Sequence, residues 1–199
     1  MIAHAPQDSI ATRPRGTPIP ARFDIAVAGG IGEGQTLLSA FDAALWACGV
    51  HDFNLIPLSS VIPPGSRVTR GDRYETPRQA FGHRLYVVKA ESRSAEEGMV
   101  LAAGIGWWQW DDGRGVFVEH ALQRTDQSRA AVVADLAAQI TTSLGDLARR
   151  RGVAFVPERA EMQIASTVVR AMPTCALVLA VYEAAAWSHQ PWQTQGGRS

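Results

Sequence analysis

The amino-acid sequence predicts an α+β fold, on three observations. Several stretches alternate apolar and polar residues or run wholly apolar, the two patterns of strands. Two longer stretches repeat apolar residues at three- and four-residue steps, as amphipathic helices do. Strands and helices are mixed along the chain without strict alternation, which points to layers of helix and sheet. The 199 residues, 46% hydrophobic and 19% charged, are enough for one domain with a substantial core. No internal repeat and no second domain is visible.

Residues 1–22 are polar, contain prolines and lack an apolar signal core. They are expected to form a flexible arm, and the protein is expected to be cytoplasmic. Phe23, Ile25 and Val27 then alternate with Asp24 and Ala26, as in a half-buried strand. Gly29-Gly30-Ile31-Gly32-Glu33-Gly34 reads as a tight strand-to-helix turn, because it lacks both the dinucleotide spacing and a Gly-Lys-Ser/Thr. A helix is expected over Gln35–Cys48, with Leu37, Leu38, Phe41, Ala44, Leu45 and Cys48 on one face and Gly49 closing it. Asp42 lies one turn from both Leu38 and Leu45 and so borders that face, as a solvated edge residue or as the partner of a cation.

Phe53, Leu55, Ile56 and Leu58 read as a buried strand that ends in Ser59-Ser60, followed by Val61-Ile62-Pro63-Pro64-Gly65. The two prolines cannot continue a ladder, and each fixes φ near −65°. The chain is therefore held extended and turned just after Ser60. A serine hydroxyl beside such a constrained peptide can attack the carbonyl in front of it, the chemistry of self-cleavage. An ordinary strand end with two turn serines fits the same residues.

Residues 65–80 are rich in Arg, Pro, Thr and Gly and read as a loop. Strands are expected over Phe81–Lys89 and Met99–Trp110, the second closing on Trp107, Trp108 and Trp110, an aromatic cluster suited to core or interface. Val116, Phe117 and Val118 form a short apolar strand with Glu119 and His120 at its end. If partly buried, that carboxylate could act as an acid near neutral pH. Asp126–Arg151 is a long helix with a stripe of Val132, Val133, Leu136, Ile140, Leu144 and Leu147, capped by Thr125 or Asp126. Arginines 149–151 suit its C-terminal dipole. Glu161–Arg170 and Cys175–Trp187 are the last strands, and residues 188–199 are expected to be a disordered tail.

Net charge is zero, so nothing points to nucleic acid or an acidic membrane surface. Cys48 and Cys175 lack metal-ligand spacing and read as reduced, buried thiols, and no metal is expected. Lys89 is the only lysine, and its strand context Leu85-Tyr86-Val87-Val88 gives no sign of a pyridoxal phosphate site.

Three blocks carry a family resemblance. They are Gly34-Gln35-Thr36-Leu37-Leu38-Ser39-Ala40-Phe41-Asp42-Ala43-Ala44-Leu45, then Gly49-Val50 with Asn54-Leu55-Ile56, then Leu58-Ser59-Ser60-Val61-Ile62-Pro63-Pro64. Gly115-Val116-Phe117-Val118-Glu119, the long helix and Cys175-Ala176-Leu177 ending in Ala184-Ala185-Ala186-Trp187 follow in order. Together they resemble the pyruvoyl-dependent arginine decarboxylases, over roughly Phe23–Trp187. The resemblance implies a four-layer αββα sandwich with mixed or antiparallel sheets, a single domain over 23–187, and a homo-oligomer. That assembly would be a trimer, or a dimer of trimers, with active sites between protomers.

It also implies a proenzyme that cuts itself between Ser59 and Ser60, giving a β chain of 1–59, an α chain of 60–199 and a pyruvoyl group derived from Ser60. Asn54 matches the active-site asparagine, which could serve the oxyanion of the ester step. Glu119 matches the proton donor. Asp42 matches the substrate-binding carboxylate, with Leu38 and Leu45 beside it. The chain departs from the family at His120, where an aromatic residue is frequent, and in the arm, the 67–78 loop and the Trp107–Asp112 segment. The implied reaction is L-arginine to agmatine and carbon dioxide. Decarboxylation of another amino acid, or an uncleaved and catalytically silent member with an oligomeric or regulatory role, are the alternatives.

Overall fold

The computed structural model describes residues 23–76 and 79–187; the expected arm over 1–22 and tail over 188–199 lie outside the described residues. The element order is β1 (Asp24–Glu33), α1 (Leu37–Cys48), β2 (Asn54–Pro57), β3 (Val61–Ile62), β4 (Arg67–Gly71), β5 (Arg84–Ser94), β6 (Val100–Gln109), β7 (Gly115–Arg124), α2 (Arg129–Arg150), β8 (Glu161–Val168) and β9 (Thr174–Ala185). The expected α+β class holds, with two α-helices and two sheets among the described residues. One sheet has the order β2-β5-β9-β1-β4, the other β3-β7-β6-β8. Pairing is antiparallel except for β1 with β4 and β2 with β5. Among the described residues no helix is long and apolar enough to cross a membrane.

Strand alternation divides the apolar residues among three clusters. Ile25, Val27, Val88, Leu101, Ile105 and Phe117 pack the two sheets face to face. Ala40, Ala44, Leu45 and Cys48 fasten α1 to Leu85, Leu177 and Leu179 on the outer face of the five-stranded sheet. Val132, Leu136, Ile140 and Leu144 fasten α2 to Val100, Ala102, Val116 and Val118 on the outer face of the four-stranded sheet. Trp107 and Trp108 are buried, as expected of a core cluster.

Several boundaries differ from the sequence expectation. The glycine run belongs to β1 and is not a turn. A Cβ at Gly32 would overlap the Ala44 nitrogen and the Ala40 carbonyl oxygen, so the missing side chain lets α1 lie directly on the strand. The helix then starts at a Thr36 cap whose hydroxyl accepts the Ser39 N–H at 3.1 Å, and it ends at Gly49 with φ 80°. The expected 65–80 loop contains β4, which pairs in parallel with β1. Ser128, not Thr125 or Asp126, caps α2. The strand carrying Glu119 and His120 continues to Arg124, because β6 offers pairing partners along its whole length.

Two outcomes follow from this packing. Gly32→Ala should lower stability by about 1–3 kcal/mol in urea denaturation, because the added methyl forces α1 off β1; an unchanged midpoint would refute that contact. Cys48 and Cys175 are fully buried, and burial first, with neighbouring negative charge second, pushes both thiols up to about 12 from 9.0. The unfolded chain loses these protons at lower pH than the folded chain, so their contribution to stability is present below pH 9.0 and lost as pH rises toward 12. Neither thiol should react with an aromatic disulfide reagent at neutral pH before denaturation, and rapid labelling of the native protein would contradict the burial.

Candidate active site

The Ser59–Ser60 peptide lies where the chain leaves one sheet and enters the other. On one side, β2 runs parallel to β5, and the Leu58 N–H donates to the Val87 carbonyl at 2.8 Å. On the other, β3 pairs with β7, and the Phe117 N–H donates to the Ser60 carbonyl at 2.9 Å. Between these anchors the Val61 N–H donates to the Ser59 carbonyl at 2.6 Å, closing a three-residue turn around Ser60. The prolines then turn the chain as expected: the Gly65 N–H donates to the Asp112 carbonyl at 2.7 Å, and Gly65 takes φ 73°.

Alternation along β7 decides which of two adjacent polar residues meets Ser60. Val116 and Val118 face α2 while Phe117 faces the other sheet. Glu119 shares the side of Phe117, and the Ser60 hydroxyl donates to its Oε2 at 2.6 Å. This contact places the carboxylate where it can accept the Ser60 hydroxyl proton. His120 points the opposite way, and its Nε2 lies 2.9 Å from the Ser143 hydroxyl on α2. A cleft of about 390 Å³ opens beside Ser60, lined also by Glu119, His120, Asp146 and Arg150.

Tyr182 was legible only as part of an apolar strand. It follows Val178 and Ala180 on the inter-sheet side of β9, and its hydroxyl donates to the Val61 carbonyl at 2.9 Å. Its ring meets that of Phe117 edge-on, with centroids 6.0 Å apart. Burial, then the nearby Glu119 charge, pushes the phenol well above its usual range, so the hydroxyl stays a donor. The only sequence signal was its place in the two-residue alternation.

The remaining candidates do not line this cleft. Asn54 opens β2, and its amide donates to the Gly82 carbonyl at 2.7 Å. The Val61 N–H donates to the Ser59 carbonyl at 2.6 Å, and Asn54 makes its bond on the Gly82 side of β2. Leu38, Asp42 and Leu45 sit on α1, which covers the far face of the five-stranded sheet. Leu38 is 71% exposed and Asp42 is exposed without an ion-pair partner among the described residues, whereas Leu45, 8% exposed, belongs to the core under the helix. Lys89 is bound to Glu91 at 2.5 Å and lies over the Phe41 ring.

The family model of the pyruvoyl-dependent arginine decarboxylases matches residues 24–186, from β1 to the end of β9. A pyruvoyl-dependent arginine decarboxylase from Halobacterium salinarum is 36% identical over 120 residues, 60% of this chain and 69% of that protein. One from Methanococcoides burtonii is 35% identical over 121 residues, 58% of this chain and 66% of that protein. A third, pyruvoyl-dependent arginine decarboxylase 2 from Archaeoglobus fulgidus, is 34% identical over 97 residues, 46% and 59% of the two chains. With the match extending over both sheets and both helices, the chain belongs to the pyruvoyl-dependent arginine decarboxylase family.

Proposed function

We propose that this protein cuts itself between Ser59 and Ser60 and then decarboxylates L-arginine to agmatine. The observation that carries the reading is the 2.6 Å bond from the Ser60 hydroxyl to Glu119, next to a peptide pinned on both sides. Attack of Ser60 Oγ on the Ser59 carbonyl carbon closes a five-membered ring of that carbon with the N, Cα, Cβ and Oγ of Ser60, and Glu119 takes the hydroxyl proton. Collapse breaks the Ser59–Ser60 C–N bond, the proton passes to the freed nitrogen, and an ester remains. Loss of the Ser60 α-proton and departure of the Ser59 carboxylate leave dehydroalanine. Its tautomer takes up water and releases ammonia, converting residue 60 to a pyruvoyl group.

These residues fit that group: a nucleophile, a proton acceptor on it, and a donor on the carbonyl it attacks. When present, the pyruvoyl ketone supplies the electron sink that a decarboxylation needs. Glu119 stays beside residue 60 and is the group placed to hold and return the proton that the substrate α-carbon requires. Asp42 binds the guanidinium, since a planar carboxylate suits it and no other cation occupies Asp42 among the described residues.

The domain spans 23–187 as a four-layer αββα sandwich. The separation of Asp42, Leu38 and Asn54 from the Ser60 cleft of the same chain supports a trimer in which a neighbour completes each site. Leu45, under α1, shapes the helix face behind Asp42.

Three variants test this reading. Ser60→Ala should run as one uncut chain without activity, and two fragments from it would sink the assignment. Glu119→Gln should slow cutting at least tenfold, because an amide cannot take the Ser60 proton; cutting at the parental rate would remove Glu119 from that step. Asp42→Ala should cut normally yet bind arginine worse by about 3–5 kcal/mol, read as a raised KM for agmatine formation. An unaltered KM would place arginine selectivity elsewhere.

A further inference from the structure

We infer that the Val61 N–H is the oxyanion donor of the self-cleavage step and that Tyr182 is the positioning residue that aims it. The inference rests on the reading that the chain cuts itself at Ser59–Ser60. When Ser60 Oγ adds to the Ser59 carbonyl, negative charge collects on the Ser59 oxygen. The Val61 N–H already sits 2.6 Å from that oxygen in the uncut chain. The Asn54 amide, the donor expected from sequence, is bonded to the Gly82 carbonyl.

Val61 is flanked by two peptide planes, and each is fixed by an outside donor. The Phe117 N–H holds the Ser60 carbonyl at 2.9 Å, which orients the plane containing the Val61 N–H. The Tyr182 hydroxyl holds the Val61 carbonyl at 2.9 Å, which orients the next plane. With both planes set, Val61 cannot turn its N–H away from Ser59 without breaking a bond. β3 spans only Val61–Ile62, too short to impose this by its ladder alone. Tyr182 is itself braced by its edge-on contact with Phe117. It therefore links the end of β9, the central strand of one sheet, to the β3–β7 pair of the other at the reacting peptide.

The test follows the full chain made by in vitro translation, sampling the cut fraction with time. Val61→Pro removes the N–H and should slow cutting about 10²–10³-fold, the loss typical of one oxyanion donor. Val61→Ala keeps the N–H and should cut at least tenfold faster than Val61→Pro. Tyr182→Phe keeps the ring and its packing but not the hydroxyl, and should slow cutting about five- to tenfold. Its melting temperature should match the parent's. Hydroxylamine separates the steps, since it splits an ester but not an amide. The slow Tyr182→Phe chain should stay resistant, because the block precedes ester formation. Parental cutting by Val61→Pro or by Tyr182→Phe overturns the inference, as does hydroxylamine-sensitive material in Tyr182→Phe. Should Val61→Pro fail to fold, Tyr182→Phe carries the test. A parent that never cuts defeats the self-cleavage reading itself.

Discussion

The proposed chemistry depends on one crossing among several, the passage of the chain from β2 in the five-stranded sheet to β3 in the four-stranded sheet at Ser59–Ser60. Each side of the crossing is hydrogen-bonded to a different sheet, to Val87 before it and to Phe117 after it. Neither anchor needs the covalent link between them. A cut at this peptide would leave residues 1–59 carrying β1, α1 and β2. β1 is held between β9 and β4, and α1 is buried against β1 and β9. The short piece would be held inside a sheet, so the hydrogen bonds on both sides would outlast a break at the place where the proposed chemistry requires it.

The same geometry explains how a few residues are sorted into roles. In a strand, neighbours face opposite sides. Glu119 and His120 are adjacent in sequence, yet one meets Ser60 and the other meets Ser143. Tyr182 reaches Val61 because it stands two places beyond Ala180 on the inter-sheet side of β9. The result is a site at the margin of the core, where the sheets supply rigid backing and the cleft supplies access. Asp42 and Leu38 remain exposed on a helix behind the other sheet, a division that a symmetric assembly of chains would reconcile.

Much of the fold was legible because burial imposes periodicity. The two helices and most strands follow from apolar spacing, and Gly49 and the arginines after Asp146 mark helix ends as expected. The glycine run misled because glycine serves both turns and close packing, and only the partner helix reveals which. β4 was hidden because a short edge strand with arginines carries little apolar pattern. Of the candidate site, Ser59, Ser60 and Glu119 could be singled out from local pattern and resemblance, and the structure brings Ser60 and Glu119 into contact. The contacts of the Val61 N–H and Tyr182 could not be, since a backbone donor has no sequence signature and a tyrosine within an apolar strand looks like core.

Self-cleavage at Ser59–Ser60 requires residue 60 to leave its peptide and lose its nitrogen. The most direct measurement is the intact mass of the purified, untreated protein under denaturing conditions. Two species are expected: residues 1–59 with an ordinary carboxyl terminus, and residues 60–199 lighter by one ammonia than the same fragment with a free amino terminus. A single species with the mass of the whole chain, or a second fragment that retains its amino-terminal serine, would contradict it.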